Sequence, residues 1–165
     1  MKAIYLTGFM GAGKTTIGEA LAERLALPVR DTDKEIERTT GLTIKQIFEE
    51  HGEQYFRDLE TEILKNLPKD NIIITTGGGI VIRNENRIYM KESGVIILLH
   101  ADLDVIYDRI HHDSNRPIAN KKSKEELVTL YLSRESYYED CTRKINTDNK
   151  SIDDITEEII QSLKN

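Results

Sequence analysis

Gly8-Phe9-Met10-Gly11-Ala12-Gly13-Lys14-Thr15 fits the pattern G-x-x-x-x-G-K-[ST]. Ahead of it, Ile4-Tyr5-Leu6 reads as a buried strand. Behind it, the stretch from Lys14 to about Leu25 puts Ile17, Ala20, Leu21 and Leu25 on one helical face. A glycine-rich loop between a strand and a helix suits phosphate binding. Glycines let successive backbone N–H groups point inward, and the helix N-terminus adds its partial positive charge. At average residue frequencies the pattern arises by chance in roughly one chain of this length in two hundred. A mere glycine turn before a helix is therefore the weaker alternative. Lys14 would reach the β- and γ-phosphates of a nucleoside triphosphate, and the Thr15 hydroxyl would ligate Mg²⁺. Gly11, Ala12 and Gly13 would supply the amides, with Thr16 following at the nucleotide side as helix context. A guanine reader, Asn-Lys-x-Asp, is missing: Asn120-Lys121-Lys122-Ser123 and Asn149-Lys150-Ser151-Ile152 both fail at the fourth position. The nucleotide expected is ATP.

Outward from this motif, short apolar runs alternate with helical stretches. Pro28 breaks the chain before a short extended stretch ending near Asp31. Thr43, with Gln46 three residues on and Leu42 able to pack on Ile47, starts a helix through Glu50. A second helix is expected from about Glu53 to Leu67. Ile72-Ile73-Ile74 and Val95 to Leu99 read as uniformly apolar strands, which suit a parallel sheet covered on both faces. Asp102 opens a helix through about Ile110, and Ser123 with Glu126 forms a capping box for another through about Tyr138. A last strand near Lys144-Ile145 precedes a helix carrying Ile152, Ile155, Ile159, Ile160 and Leu163. This alternation predicts an α/β sandwich around a mostly parallel sheet, in one domain over residues 1–165. The aperiodic stretch His111 to Lys122, with Arg116-Pro117, is either a mobile lid or a plain connecting loop.

The 165 residues are 38% apolar and 32% charged with a net charge of −6, the balance of a globular protein without a basic stripe for nucleic acid. Five residues is the longest apolar run, Val95 to Leu99, so no membrane span is expected. One cysteine, Cys141, permits no internal disulfide and favours the cytoplasm. The four histidines show no metal-ligand spacing. Nothing in the pattern suggests assembly, so a monomer is the default.

Several further motifs follow in order: Asp31-Thr32-Asp33, Gly52-Glu53, Phe56-Arg57-Asp58-Leu59-Glu60, Thr76-Gly77-Gly78-Gly79, Arg116-Pro117 and Arg134. Together with the phosphate loop they make the chain resemble the shikimate kinases over nearly its whole length. The resemblance implies a three-layer P-loop fold of the nucleoside-monophosphate-kinase type, with a five-stranded parallel sheet and a lid over about 111–123. It also implies transfer of the ATP γ-phosphate to the 3-hydroxyl of shikimate, with helices in 33–67 binding the acceptor.

On this resemblance, Asp33 would orient or deprotonate the attacking hydroxyl and Asp31 would hold Mg²⁺ through water. Without it, both could equally be helix-start Asx turns. Arg57 would meet the substrate carboxylate, held by Glu60. Without the resemblance, their three-residue spacing describes a surface ion pair. Arg134 would give a second clamp, and Gly77, Gly78 and Gly79 would bring bare amides to the substrate. Arg116 would close with the lid onto the transferring phosphoryl group. Arg109 would lie near adenine, a position a helical surface arginine also explains. Ile118-Ala119-Asn120 stand where the family commonly has leucines, and the adenine-side loop Asn146-Thr147-Asp148 matches only loosely.

Overall fold

The computed structural model describes residues 1–111 and 123–165. Five strands, β1 (Ala3–Thr7), β2 (Val29–Asp31), β3 (Ile73–Thr75), β4 (Gly94–His100) and β5 (Arg143–Asn146), form one parallel sheet in the order β2-β3-β1-β4-β5. Tyr5 pairs with Ile74 of β3 on one side and with Ile96 of β4 on the other. The alternation within β1 decides the layers. Ile4 and Leu6 face one core with Ile73, Ile97 and Leu99, while Ala3 and Tyr5 face the other with Ile74, Ile96 and Leu98.

Helices α1 (Lys14–Leu25) and α7 (Ile152–Leu163) cover the first face with Ile17, Leu21, Ile155 and Ile159. The second face is covered by α3 (Ile44–Asn66), α4 (Asn84–Ser93), α5 (Leu103–His111) and α6 (Lys124–Glu139). Between β2 and α3, α2 (Thr32–Thr40) builds a small separate core of Ile36, Ile47 and Phe56. The architecture is the expected three-layer one.

Both expected capping boxes are formed, Thr43 with Gln46 and Ser123 with Glu126. The two helices expected over 42–50 and 53–67 run on as α3, broken at Gly52, where φ of 85° and ψ of 172° leave helical geometry. Only glycine enters that region without strain, so the chain turns there and then resumes its helix. Two helices, α2 and α4, are not bounded from the sequence, although the Asx alternative at Asp31 marks where α2 starts. Of nine residues in α2 only Ile36 is apolar, so no periodic stripe announces it. The expected lid lies, apart from His111 and Ser123, outside the described residues, and with it Arg116 and Pro117.

Candidate active site

Strand β1 delivers the phosphate loop at its carboxyl end, where open parallel sheets bind ligands. Gly13 is the N-cap of α1 with φ of 94°, a left-handed geometry that turns the chain into the helix, and the Ala12 amide donates to the Phe9 carbonyl at 3.1 Å. Lys14 folds back across the loop, Nζ donating to the Gly8 carbonyl at 2.6 Å and the Phe9 carbonyl at 3.0 Å. From α5, Arg109 donates to the Gly11 carbonyl at 3.0 Å. Thr15 and Thr16 are exposed on the first turn of α1. A cleft of about 330 Å³ opens beside the loop, lined by Gly11, Gly13, Thr16, Arg109, Thr147 and Lys150 among others. Thr147 is thereby placed opposite the loop, its amide and hydroxyl both donating to the His100 carbonyl.

The second half of the site is assembled from β2, α2, α3 and the turn after β3. Asp31 caps α2, accepting the Lys34 amide on Oδ1 at 3.1 Å, and takes the Thr75 hydroxyl on Oδ2 at 2.7 Å. The Asx alternative is therefore correct for Asp31, yet each carboxylate oxygen keeps a lone pair for a metal-bound water. Carboxylate and hydroxyl oxygens such as those of Asp31 and Thr15 are the donor types that Mg²⁺ takes. Thr32 accepts the Gly77 amide at 3.1 Å, which ties the glycine turn to α2. Asp33 lies one residue into α2. A Cβ on Gly77 would sit 2.7 Å from its Oδ1 and 3.1 Å from Glu60 Oε2, so both carboxylates press against that glycine.

Arg57 and Glu60 are not a surface pair. They meet at 3.0 Å with side chains 9% and 1% exposed. Arg57 also lies over the Phe56 ring, and a Cβ on Gly79 would lie 2.4 Å from both of its terminal nitrogens. Arg134 on α6 is buried as well, one helical turn before Tyr138, and its charge opposes the rise that burial imposes on the Tyr138 phenol. Asp33 Oδ1, Glu60 Oε2 and Arg57 Nε are sealed from solvent without a hydrogen-bond partner among the described residues. Unsatisfied buried polar atoms are costly, so three in one place mark groups arranged for a polar ligand.

The charges follow from this packing. Burial raises Asp33 to about 6, with Asp31 adding to the rise and Lys14 and Arg57 opposing it. Burial also raises Glu60 to about 7, against the pull of Arg57 and with a push from Asp33. Two carboxylates poised near neutrality between arginines can hold or release a proton in the working range.

The structure thus brings Asp33, Arg57, Glu60, Arg134 and the three glycines together, and puts Thr16 and Arg109 in the adjoining cleft, with Lys14 and Thr15 at the start of α1 beside it. Three contributors escaped the sequence reading: Thr32, Tyr138 and Lys150. Tyr138 alone had a usable signal, its place one helical turn beyond Arg134.

A shikimate kinase family model matches residues 10–164. Over 163 residues the chain is 50% identical to a shikimate kinase of Bacillus anthracis and 49% identical to that of Bacillus cytotoxicus, with 99% of both chains covered in each case. Its fold matches that of the shikimate kinase from Acinetobacter baumannii in complex with shikimate, with a TM-score of 0.94 and 37% identity, over 99% of this chain and 93% of that one.

Proposed function

The chain belongs to the shikimate kinase family and is an ATP-dependent phosphotransferase, and from that premise we propose that it transfers the γ-phosphate of ATP to the 3-hydroxyl of shikimate, releasing shikimate 3-phosphate and ADP. The observation that carries the acceptor assignment is the buried Arg57–Glu60 pair wedged against Gly79, beside an Asp33 oxygen that lacks a partner. A planar cation whose Nε makes no hydrogen bond, with only Glu53 at 3.8 Å beside it, suits a carboxylate, and a carboxylate oxygen without a hydrogen bond suits a hydroxyl donor.

In this reading Arg57 and Arg134 fix the acid group and Glu60 holds the Arg57 guanidinium. The amides of the Gly77–Gly79 turn approach the substrate where no side chain intervenes. Asp33 accepts the hydrogen of the attacking hydroxyl. As the new O–P bond forms and the bond to the bridging oxygen of ADP breaks, that proton passes to Asp33. Lys14 carries its charge to the β- and γ-phosphates. Thr15 and, through water, Asp31 would hold Mg²⁺, whose charge offsets that of the phosphates when bound. Arg109 and Thr147 face the base side of the cleft.

Arg116 as a closing cation rests on the family resemblance, and 111–123 as a lid on that resemblance together with the aperiodic stretch around Arg116-Pro117. The same holds for the division of a single kinase domain, 1–165, into acceptor helices at 33–67 and a lid. Among the described residues no helix is long and apolar enough to cross a membrane. A cytoplasmic monomer is the accompanying expectation.

A coupled ADP-release assay with ATP and Mg²⁺ tests the proposal. Rapid ADP formation with shikimate, but not with gluconate, nucleoside monophosphates or no acceptor, is the expected result. Preference for another acceptor would overturn the substrate assignment.

A further inference from the structure

We propose that Tyr138 is a positioning residue of the acceptor site, its hydroxyl fixing the Gly78 carbonyl, and with it the glycine turn, beside the buried Arg134 one helical turn earlier. The proposal rests on the reading of Arg134 as a carboxylate clamp.

The hydroxyl donates to the Gly78 carbonyl at 2.5 Å, and the charge of Arg134, buried one turn earlier on α6, acts on the same phenol. A phenol has one proton and two lone pairs. With the proton committed to Gly78, the hydroxyl presents its lone pairs, the end that a nearby guanidinium charge favours. The carbonyl of Gly78 and the N–H of Gly79 share one planar trans peptide. Holding the oxygen therefore sets the direction of the Gly79 amide, in a turn whose glycines have no side chains to restrain them. The turn has little freedom on its other side, because a Cβ on Gly78 would lie 3.3 Å from the Met10 amide of the phosphate loop.

The ring is fixed as firmly as the hydroxyl. Tyr138 is 2% exposed. It meets the Phe9 ring edge-on at 6.4 Å and stacks on Tyr131 at 6.1 Å. Burial pushes the phenol up to about 12, so it keeps its proton, and hence its bond to Gly78, throughout the working range of the enzyme. Lost packing is not at issue in Tyr138→Phe, which keeps the ring and removes only the hydroxyl.

The test is a cycle of Tyr138→Phe, Arg134→Lys and the double variant, with steady-state kinetics for both substrates and a thermal melt. Tyr138→Phe should lower kcat/KM for shikimate by about 5- to 150-fold, the range for a buried polar group left unpaired. The KM for ATP should stay near wild type, and the melting transition should fall only by the few degrees that one lost buried hydrogen bond costs. The double variant should lose less than the product of the single losses, since the two side chains are coupled neighbours serving one bound carboxylate. Full activity in Tyr138→Phe, equal losses for the two substrates, or strictly multiplicative losses would each overturn the proposal. Arg134→Lys with wild-type shikimate kinetics would instead overturn the clamp reading, a result distinguishable from the others.

Discussion

Replacing Gly79 by alanine perturbs the acceptor site through one added methyl group. The backbone at Gly79 has φ of −96° and ψ of 3°, which alanine adopts without left-handed strain. The added Cβ would lie 2.4 Å from Nη1 and Nη2 of Arg57 and 2.5 Å from its Cζ. Ordinary contact needs about 3.5 Å, so the guanidinium must retreat by about 1 Å. It is held by Glu60 Oε1 at 3.0 Å and packed over Phe56, so the retreat comes at the expense of its aim. Charge-assisted hydrogen bonds contribute about 1.5–3 kcal/mol, which corresponds to roughly 10- to 150-fold in kcat/KM. A misplacement of about 1 Å at a reacting site has a comparable effect. The assay varies shikimate at saturating ATP and Mg²⁺, then ATP at saturating shikimate, alongside a thermal melt. The expected result is a raised KM for shikimate, an unchanged KM for ATP and nearly unchanged stability. Gly41→Ala is the control, because Gly41 has φ of 73° with nothing within 4 Å of its added Cβ. It should lower stability by about 1 kcal/mol and leave both KM values alone. A folded Gly79→Ala enzyme with wild-type shikimate kinetics would refute the placement of the acid group at Arg57.

Three other perturbations read different parts of the site. Asp33 works ionised and burial holds it at about 6, so kcat/KM for shikimate should fall by about tenfold per unit as pH drops below that value; a profile flat from about pH 5 to about pH 8 would contradict its role as proton acceptor. Glu60 is raised from 4.5 to about 7, so the folded chain binds more protons than the unfolded one in that window and its contribution to stability falls as pH rises through it. Glu60→Gln cannot titrate, and its melting temperature relative to wild type should be higher at pH 8 than at pH 5; the opposite trend would show that Arg57 outweighs burial. Lys14→Met should abolish turnover while the fold persists, as read by circular dichroism and a melt, because the ammonium is the charge aimed at the β- and γ-phosphates.

The sequence by itself determined what depends on near neighbours along the chain. The loop from Gly8 to Thr15 shows in its spacing that a strand hands phosphate-binding amides to a helix. The apolar runs in β3 and β4 announce a sheet covered on both faces, and the capping boxes at Thr43 and Ser123 mark helix starts that the structure keeps. Each is a pattern within about ten residues, the range over which backbone geometry correlates side-chain directions.

What only the tertiary structure decided is desolvation and convergence. Arg57 and Glu60 have the same spacing whether they lie in water or in a sealed pocket. Their burial follows from α3 packing under the turn after β3, and that burial brings the carboxylates of Glu60 and Asp33 near neutrality. The order β2-β3-β1-β4-β5 inserts β3 between the first two strands and thereby carries Gly77 to Thr32, 45 residues earlier, and Gly78 to Tyr138, 60 residues later. No local pattern encodes such meetings. Hydrophobic burial of both sheet faces drives the packing, and the polar groups of the site are gathered by the chain crossings that this packing requires.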